Sequence, residues 1–125
     1  MPRIIVVEDE ESIRELLRRV LVDAGYDVAL APDAPTALTL AAEASPDVMF
    51  LDLNLPGANG LWLADQIREQ HPTTAMVLAT ADAAVPPYQS LRRGIVGYLL
   101  KPFRRADVIR VAEEAVRWSQ DARRR

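Results

Sequence analysis

Cysteine is absent from the 125 residues. That excludes a disulfide framework, a thiolate metal site and a cysteine nucleophile. Histidine occurs once, at His71, and lysine once, at Lys101, among fifteen basic residues. Codon bias accounts for a chain rich in arginine, but not for the sparing of one lysine. Long apolar runs are missing too. Ile4-Ile5-Val6-Val7 is too short for a signal-peptide core or a membrane span, and acids follow it at once. A cytoplasmic protein with no membrane contact is the expectation. The net charge of −3 carries no nucleic-acid footprint. Repeats, low-complexity segments and internal linkers are also lacking.

What is present suits one domain with one core: 125 residues, 50% of them hydrophobic. The organising stretch is Val48 to Gly60, VMFLDLNLPGANG. Its unbroken apolar run has the character of a strand buried on both faces, and it ends in a carboxylate, Asp52. Asn54, Pro56, Gly57, Asn59 and Gly60 then punctuate a loop before a helical pattern that runs to about His71. Ile4–Val7 forms a first strand, followed by Glu8–Glu11. Ser12 to Glu15 fits a capping box for a helix closed by Gly25. Tyr26–Ala31 is a less apolar strand, suited to an edge. Asp33 caps the next helix, with Pro35 in its first turn. Ala75–Ala79 is a strand ending at Thr80, and Gly97–Leu100 another ending at Lys101-Pro102. A short helix is expected near Tyr88 to Arg93, and a last one carries Val108, Val111, Ala112 and Ala115 to about Ser119. Trp62 and Trp118 fit partly buried helix positions, and His71 an exposed helix end. Five strand–helix pairs imply an open, doubly wound parallel sheet with helices on both faces.

In such a sheet every strand C-terminus points to one edge, where ligands bind. Glu8, Asp9, Asp52, Thr80 and Lys101 all arrive there. Three crowded carboxylates repel unless a cation intervenes. The oxygen-only donor set, with no histidine or cysteine near, favours Mg2+ over zinc. A hydroxyl and an ammonium complete a site for a phosphoryl group, with Asp52 as the attacking carboxylate.

VVEDEE, FLDLNLPGANG, LATAD and GYLLKPF stand in an order and at spacings that resemble the receiver domain of two-component response regulators, the CheY-like family. The resemblance covers roughly Arg3 to Ser119. It implies a flavodoxin-like α/β fold with strand order 2-1-3-4-5, a receiver domain over residues 1–121, and a basic tail or linker start at 122–125. It further implies that Asp52 is the phosphoacceptor, taking its phosphoryl group from a sensor histidine kinase or phosphotransfer protein. Asp9 and Asp52 would bind Mg2+ directly, Glu8 through a water, and Asn54 through its backbone carbonyl. Thr80 would hydrogen-bond a phosphoryl oxygen, Lys101 would pair with Asp52 and then its phosphate, and Tyr98 would be an aromatic switch. Lys101-Pro102 would be cis. The output would be a downstream protein partner or effector domain, engaged through the fourth helix, fifth strand and fifth helix. The chain would be a monomer or a phosphorylation-dependent dimer, and a switch rather than a turnover enzyme.

Several positions depart from the family pattern. Glu8 replaces the more usual aspartate, and Arg104 stands where an acidic helix cap often sits. AAVPPYQSLRRGIVG replaces an alanine-rich helix, which suggests a partner surface around Arg92 and Arg93 peculiar to this chain. Asn54 and Asp82, small and polar, resemble receivers that lose their phosphate quickly. Three other readings compete. A haloacid-dehalogenase-type phosphatase would need a second acid where Asn54 stands. A flavin-binding module would need a phosphate loop where Glu8–Glu11 stand. A receiver-shaped interaction module would never be phosphorylated.

Overall fold

The computed structural model describes residues 1–81 and 94–125. Apolar runs that need cover on both faces find it in a five-stranded parallel sheet. Its strands are β1 (Arg3–Val7), β2 (Asp27–Ala31), β3 (Val48–Leu51), β6 (Ala75–Thr80) and β7 (Ile95–Leu100), in the order β2-β1-β3-β6-β7. Counted by sheet strand alone this is the expected order 2-1-3-4-5. Two short strands, β4 (Asn54–Leu55) and β5 (Ala58–Asn59), form a separate antiparallel hairpin where the punctuation of the sequence predicts a loop. The helices are α1 (Glu11–Asp23), α2 (Ala34–Glu43), α3 (Gly60–Gln70) and α4 (Arg105–Arg123).

Strand alternation divides the core into two layers. Ile4, Val6, Phe50 and Val77 face Leu17 and Leu21 of α1 and Val111 and Ala115 of α4. Ile5, Val7, Met49 and Leu78 face Ala37 and Ala41 of α2 and Leu63 and Ile67 of α3. The small residues of α2 let that helix lie close to the sheet. The less apolar β2 is an edge strand, as its composition suggested.

Local signals held in most places. The Asp33 carboxylate accepts the Thr36 amide over 2.8 Å and Asn59 accepts that of Trp62 over 2.7 Å, so both helices start at side-chain caps. Gly25 has φ 99°, the left-handed backbone that ends α1. The Ser12 capping box did not form. Helix α1 begins at Glu11 behind Glu10, with no side-chain cap, so Ser12 is already inside the first turn. The Arg14 guanidinium instead donates to the carbonyls of Glu8 and Asp9 over 2.8 and 3.3 Å.

The last helix runs a turn beyond Ser119. The Ser119 hydroxyl donates to the Thr73 carbonyl over 2.6 Å, and Arg123 pairs with Asp47. Arg123 is therefore part of the folded unit rather than a solvated tail. Trp118 is half-buried against the core, whereas Trp62 is exposed. His71 caps the C-terminus of α3, half-buried rather than exposed, with its Nδ1 3.0 Å from the Ser45 hydroxyl. The helix expected near Tyr88 to Arg93, Asp82, and the Arg92–Arg93 surface lie outside the described residues. Among the described residues no helix is long and apolar enough to cross a membrane.

Candidate functional site

The sheet ladder runs one residue past three strand ends, and each extra rung fixes a polar residue. The Glu8 amide donates to Ala31 over 3.0 Å, Asp52 to Val7 over 3.1 Å, and Lys101 to Thr80 over 2.9 Å. The side chains that follow the strands are thus launched from clamped backbone rather than from free loops. Glu8 and Asp52 are 1% and 5% exposed, and Thr80 is fully buried at the end of β6. Asp9 is exposed, yet one of its oxygens lies within 4.8 Å of oxygens of Glu8 and Asp52.

Lys101 joins the group from the far side. Its Nζ lies 2.9 Å from Asp52 Oδ2, to which it donates, and 2.6 Å from Glu8 Oε1. The other carboxylate oxygens are held by local amides. Asn54 N–H donates to Asp52 Oδ1 over 3.1 Å, and Glu10 N–H to Glu8 Oε2 over 3.1 Å. Glu8 Oε1 is different. Among the described residues no backbone amide reaches it, and its close contact is the Lys101 ammonium.

The electrostatics follow from burial. Desolvation is the largest influence on Glu8 and raises its carboxyl above the usual carboxylate range, against the pull of Lys101. Burial by itself would lower Lys101. The Glu8 and Asp52 carboxylates together outweigh it, and the ammonium is held above its ordinary value.

The loop after Asp52 is built to close tightly. Pro56 and the positive-φ Gly57 occupy the middle of the β4–β5 turn, the pair that a type II turn takes. Gly60 opens α3 directly against the backbone of Asp52 and Leu53, where a Cβ would collide with the Asp52 carbonyl. The Asn54 side chain is exposed on β4. Tyr98 lies in β7 opposite Leu78, half-buried, its hydroxyl enclosed and without a hydrogen-bond partner among the described residues. The Lys101-Pro102 peptide is cis, as expected.

Every site residue expected at the sheet edge is there, with Tyr98 alone set back along its strand. Sequence reasoning missed the Glu8–Lys101 contact, the Arg14 clamp and the steric demand at Gly60. Gly60 had a signal, as a glycine at a helix start, but nothing in sequence says which backbone it approaches.

The sequence profile of the response regulator receiver domain matches residues 4–113. The chain belongs to that family. Among curated relatives, the DNA-binding transcriptional regulator NtrC of Escherichia coli strain K12 is 36% identical over 120 residues, which cover 93% of this chain and 25% of NtrC. The chain therefore spans about a quarter of that relative's length. Of solved structures, the receiver domain of NtrX from Brucella abortus superposes with a TM-score of 0.85 at 36% identity, covering 91% of this chain and 98% of that one. The Thermotoga maritima response regulator TrrA, solved in complex with Mg2+-BeF, gives 0.83 at 30% identity, covering 92% and 99%. Membership sets aside the phosphatase and flavin-module readings.

Proposed function

We propose that this receiver domain is a phosphorylation-dependent switch of a two-component system, with Asp52 as its phosphoacceptor. The observation that carries the reading is Asp52 itself, a buried carboxylate on clamped backbone with an ammonium at 2.9 Å and two further carboxylates within 4.8 Å. An Asp52 oxygen attacks the phosphorus of a phosphohistidine, on a sensor kinase or a phosphotransfer protein. The P–N bond breaks, the imidazole leaves, and an acyl phosphate forms on Asp52.

The residues present fit a divalent cation. The donors are all oxygen, and Glu8 Oε1 is a buried anionic atom that no backbone amide reaches among the described residues. Asp9 and Asp52 would hold Mg2+ directly, Asn54 through its carbonyl and Glu8 through a water. Bound there, Mg2+ would neutralise charge developing on the phosphoryl oxygens. TrrA, with its Mg2+-BeF, supports the choice of metal. Lys101 pairs with Asp52 beforehand and with the phosphoryl group afterwards. Thr80 donates to a phosphoryl oxygen, and Tyr98 follows its movement. By alternation Thr80 shares a face with Leu78, and Tyr98 packs against that same layer. The changed face then alters affinity for a downstream partner or effector domain, in the cytoplasm. A few kcal/mol of differential stabilisation suffice for such a shift.

The test is intact-mass analysis after incubation with Mg2+ and acetyl phosphate, with Asp52→Asn alongside. A single phosphoryl adduct, absent from the variant and absent without Mg2+, is the expected result. An unmodified protein that also fails to bind beryllium fluoride would sink the reading.

A further inference from the structure

Lys101 reaches Glu8 from the far end of the sheet. It leaves the end of β7, and the strand order sets β6 and β3 between that end and β1. At the meeting point the ammonium is shared, 2.6 Å from Glu8 Oε1 and 2.9 Å from Asp52 Oδ2. Each contact has a reason. The Glu8 side chain is only 2% exposed, and a carboxylate so buried needs an opposite charge. Asp52 needs the same. One ammonium therefore serves two acids, and the same two acids belong to the cluster that fits a cation.

The surroundings decide which part of this arrangement is able to move. Arg14 holds the carbonyls of Glu8 and Asp9, so the backbone beneath them is fixed. The Glu10 amide holds Glu8 Oε2. Glu8 Oε1 is left with the ammonium, an exchangeable partner. The residue type matters as well. An aspartate, one methylene shorter on the same clamped backbone, would stand back from Lys101.

We propose that Glu8 is a positioning residue that couples cation binding to the release of Lys101. Without metal, Glu8 and Asp52 hold the ammonium jointly. With a divalent cation in the site, Glu8 turns its Oε1 to the metal's water shell, and Lys101 serves Asp52 and its phosphoryl group alone. The inference deepens the phosphoacceptor reading and rests on it. Glu8 thereby shares the one counter-charge of the metal-free site, and metal and ammonium compete for one carboxylate.

The test is a double-mutant cycle on Mg2+ affinity, read by calorimetry on the full chain: wild type, Lys101→Met, Glu8→Asp and the double variant. Removing the ammonium is expected to tighten Mg2+ binding about tenfold more with Glu8 in place than in the Glu8→Asp background. Equal factors in both backgrounds, with Mg2+ still bound, would overturn the coupling and leave the metal site standing. No Mg2+ binding to any of the four would overturn both. Should Glu8→Asp fail to fold, the Lys101 ammonium resonance in the wild-type protein decides. It is expected to shift as Mg2+ saturates the site, and an unmoved signal overturns the proposal.

Discussion

Gly60 is the position at which stability and chemistry are hardest to separate. Its amide donates to the Leu53 carbonyl over 2.8 Å, which draws the start of α3 onto the loop that carries Asp52. An added Cβ would collide with the Asp52 carbonyl oxygen and stand 2.9 Å from both the Asp52 carbonyl carbon and Leu53 Cα. All three are backbone atoms, so no rotamer change relieves the clash. Overpacking of this kind costs about 1–3 kcal/mol. Stretching the Leu53–Gly60 hydrogen bond adds about 1 kcal/mol. The better helix propensity of alanine returns at most about 1 kcal/mol. Gly60→Ala is thus expected to lose about 1–4 kcal/mol, or roughly 3–16 °C in Tm for a domain of this size. It should also weaken Mg2+ binding, because the atoms that must yield belong to Asp52, the proposed acceptor, and its neighbour. Gly57→Ala is the control. Gly57 has φ 72° with nothing within 4 Å of a built Cβ, so alanine there costs only about 1–2 kcal/mol of left-handed backbone and leaves Asp52 in place. Urea unfolding and a Mg2+ titration on both variants test the reasoning. A Gly60→Ala protein within about 0.5 kcal/mol of wild type, the range of an ordinary surface change, with its Mg2+ affinity intact, would refute it.

Two further outcomes follow from the same geometry. In Mg2+-free buffer the folded state raises the Glu8 carboxyl above its ordinary 4.5, through burial first. Between that value and the raised one the folded chain binds more protons than the unfolded chain, so Glu8 withdraws stability as pH rises through the window. The Tm difference between Glu8→Gln and wild type should therefore be flat below the window and grow through it in the variant's favour; a difference that shrinks with rising pH would contradict the burial argument. At the opposite edge of the sheet, Asp47 accepts the Arg3 amide over 2.7 Å and pairs with Arg123. Asp47→Ala should cost about 1.5–3 kcal/mol, the range for a charge-assisted hydrogen bond. It should also raise amide exchange in the last turn of α4 while leaving phosphoryl acceptance on Asp52 unchanged; protection equal to wild type at residues 120–123 would show that the pair does not hold the helix end.

The fold was legible because its signals are short-range. Four apolar residues at Val48–Leu51, an aspartate cap at Asp33 and a glycine at Gly25 each act within a few positions, and each formed the element its chemistry favours. Ser12 shows where that logic stops. Its spacing to Glu15 satisfies a capping box, but the helix starts one residue before Ser12. The Glu8 carboxylate takes the Glu10 amide and Arg14 ties down the preceding carbonyls, so the turn closes early. Tertiary partners overrode a local cap that was itself sound. The reach of α4 to Arg123 is a similar case, since Thr73 and Asp47 lie far away in sequence. The β4–β5 hairpin escaped notice for another reason. Two residues per strand are too few to show alternation, and the proline and glycine at its tip look the same in any turn.

The site was legible in membership but not in pairing. Strand ends set which residues arrive at the edge, and strand ends can be read from apolar runs. Which charge meets which depends on lateral order in the sheet and on side-chain length. Lys101 and Glu8 follow the ends of strands separated by two others. Pairing by adjacency would have matched each acid with its nearest strand and left the ammonium to Asp52. The long lysine arm crosses that gap, and the glutamate, longer than aspartate by one methylene, meets it. Glu8 thus gives a second acid access to the one ammonium of the site. Burial makes that access consequential. In water a pair such as this contributes little, whereas here both acids are nearly enclosed and each is costly without a partner. The competition for Lys101 is therefore a product of sheet order, arm length and burial together, and no one of the three implies it alone.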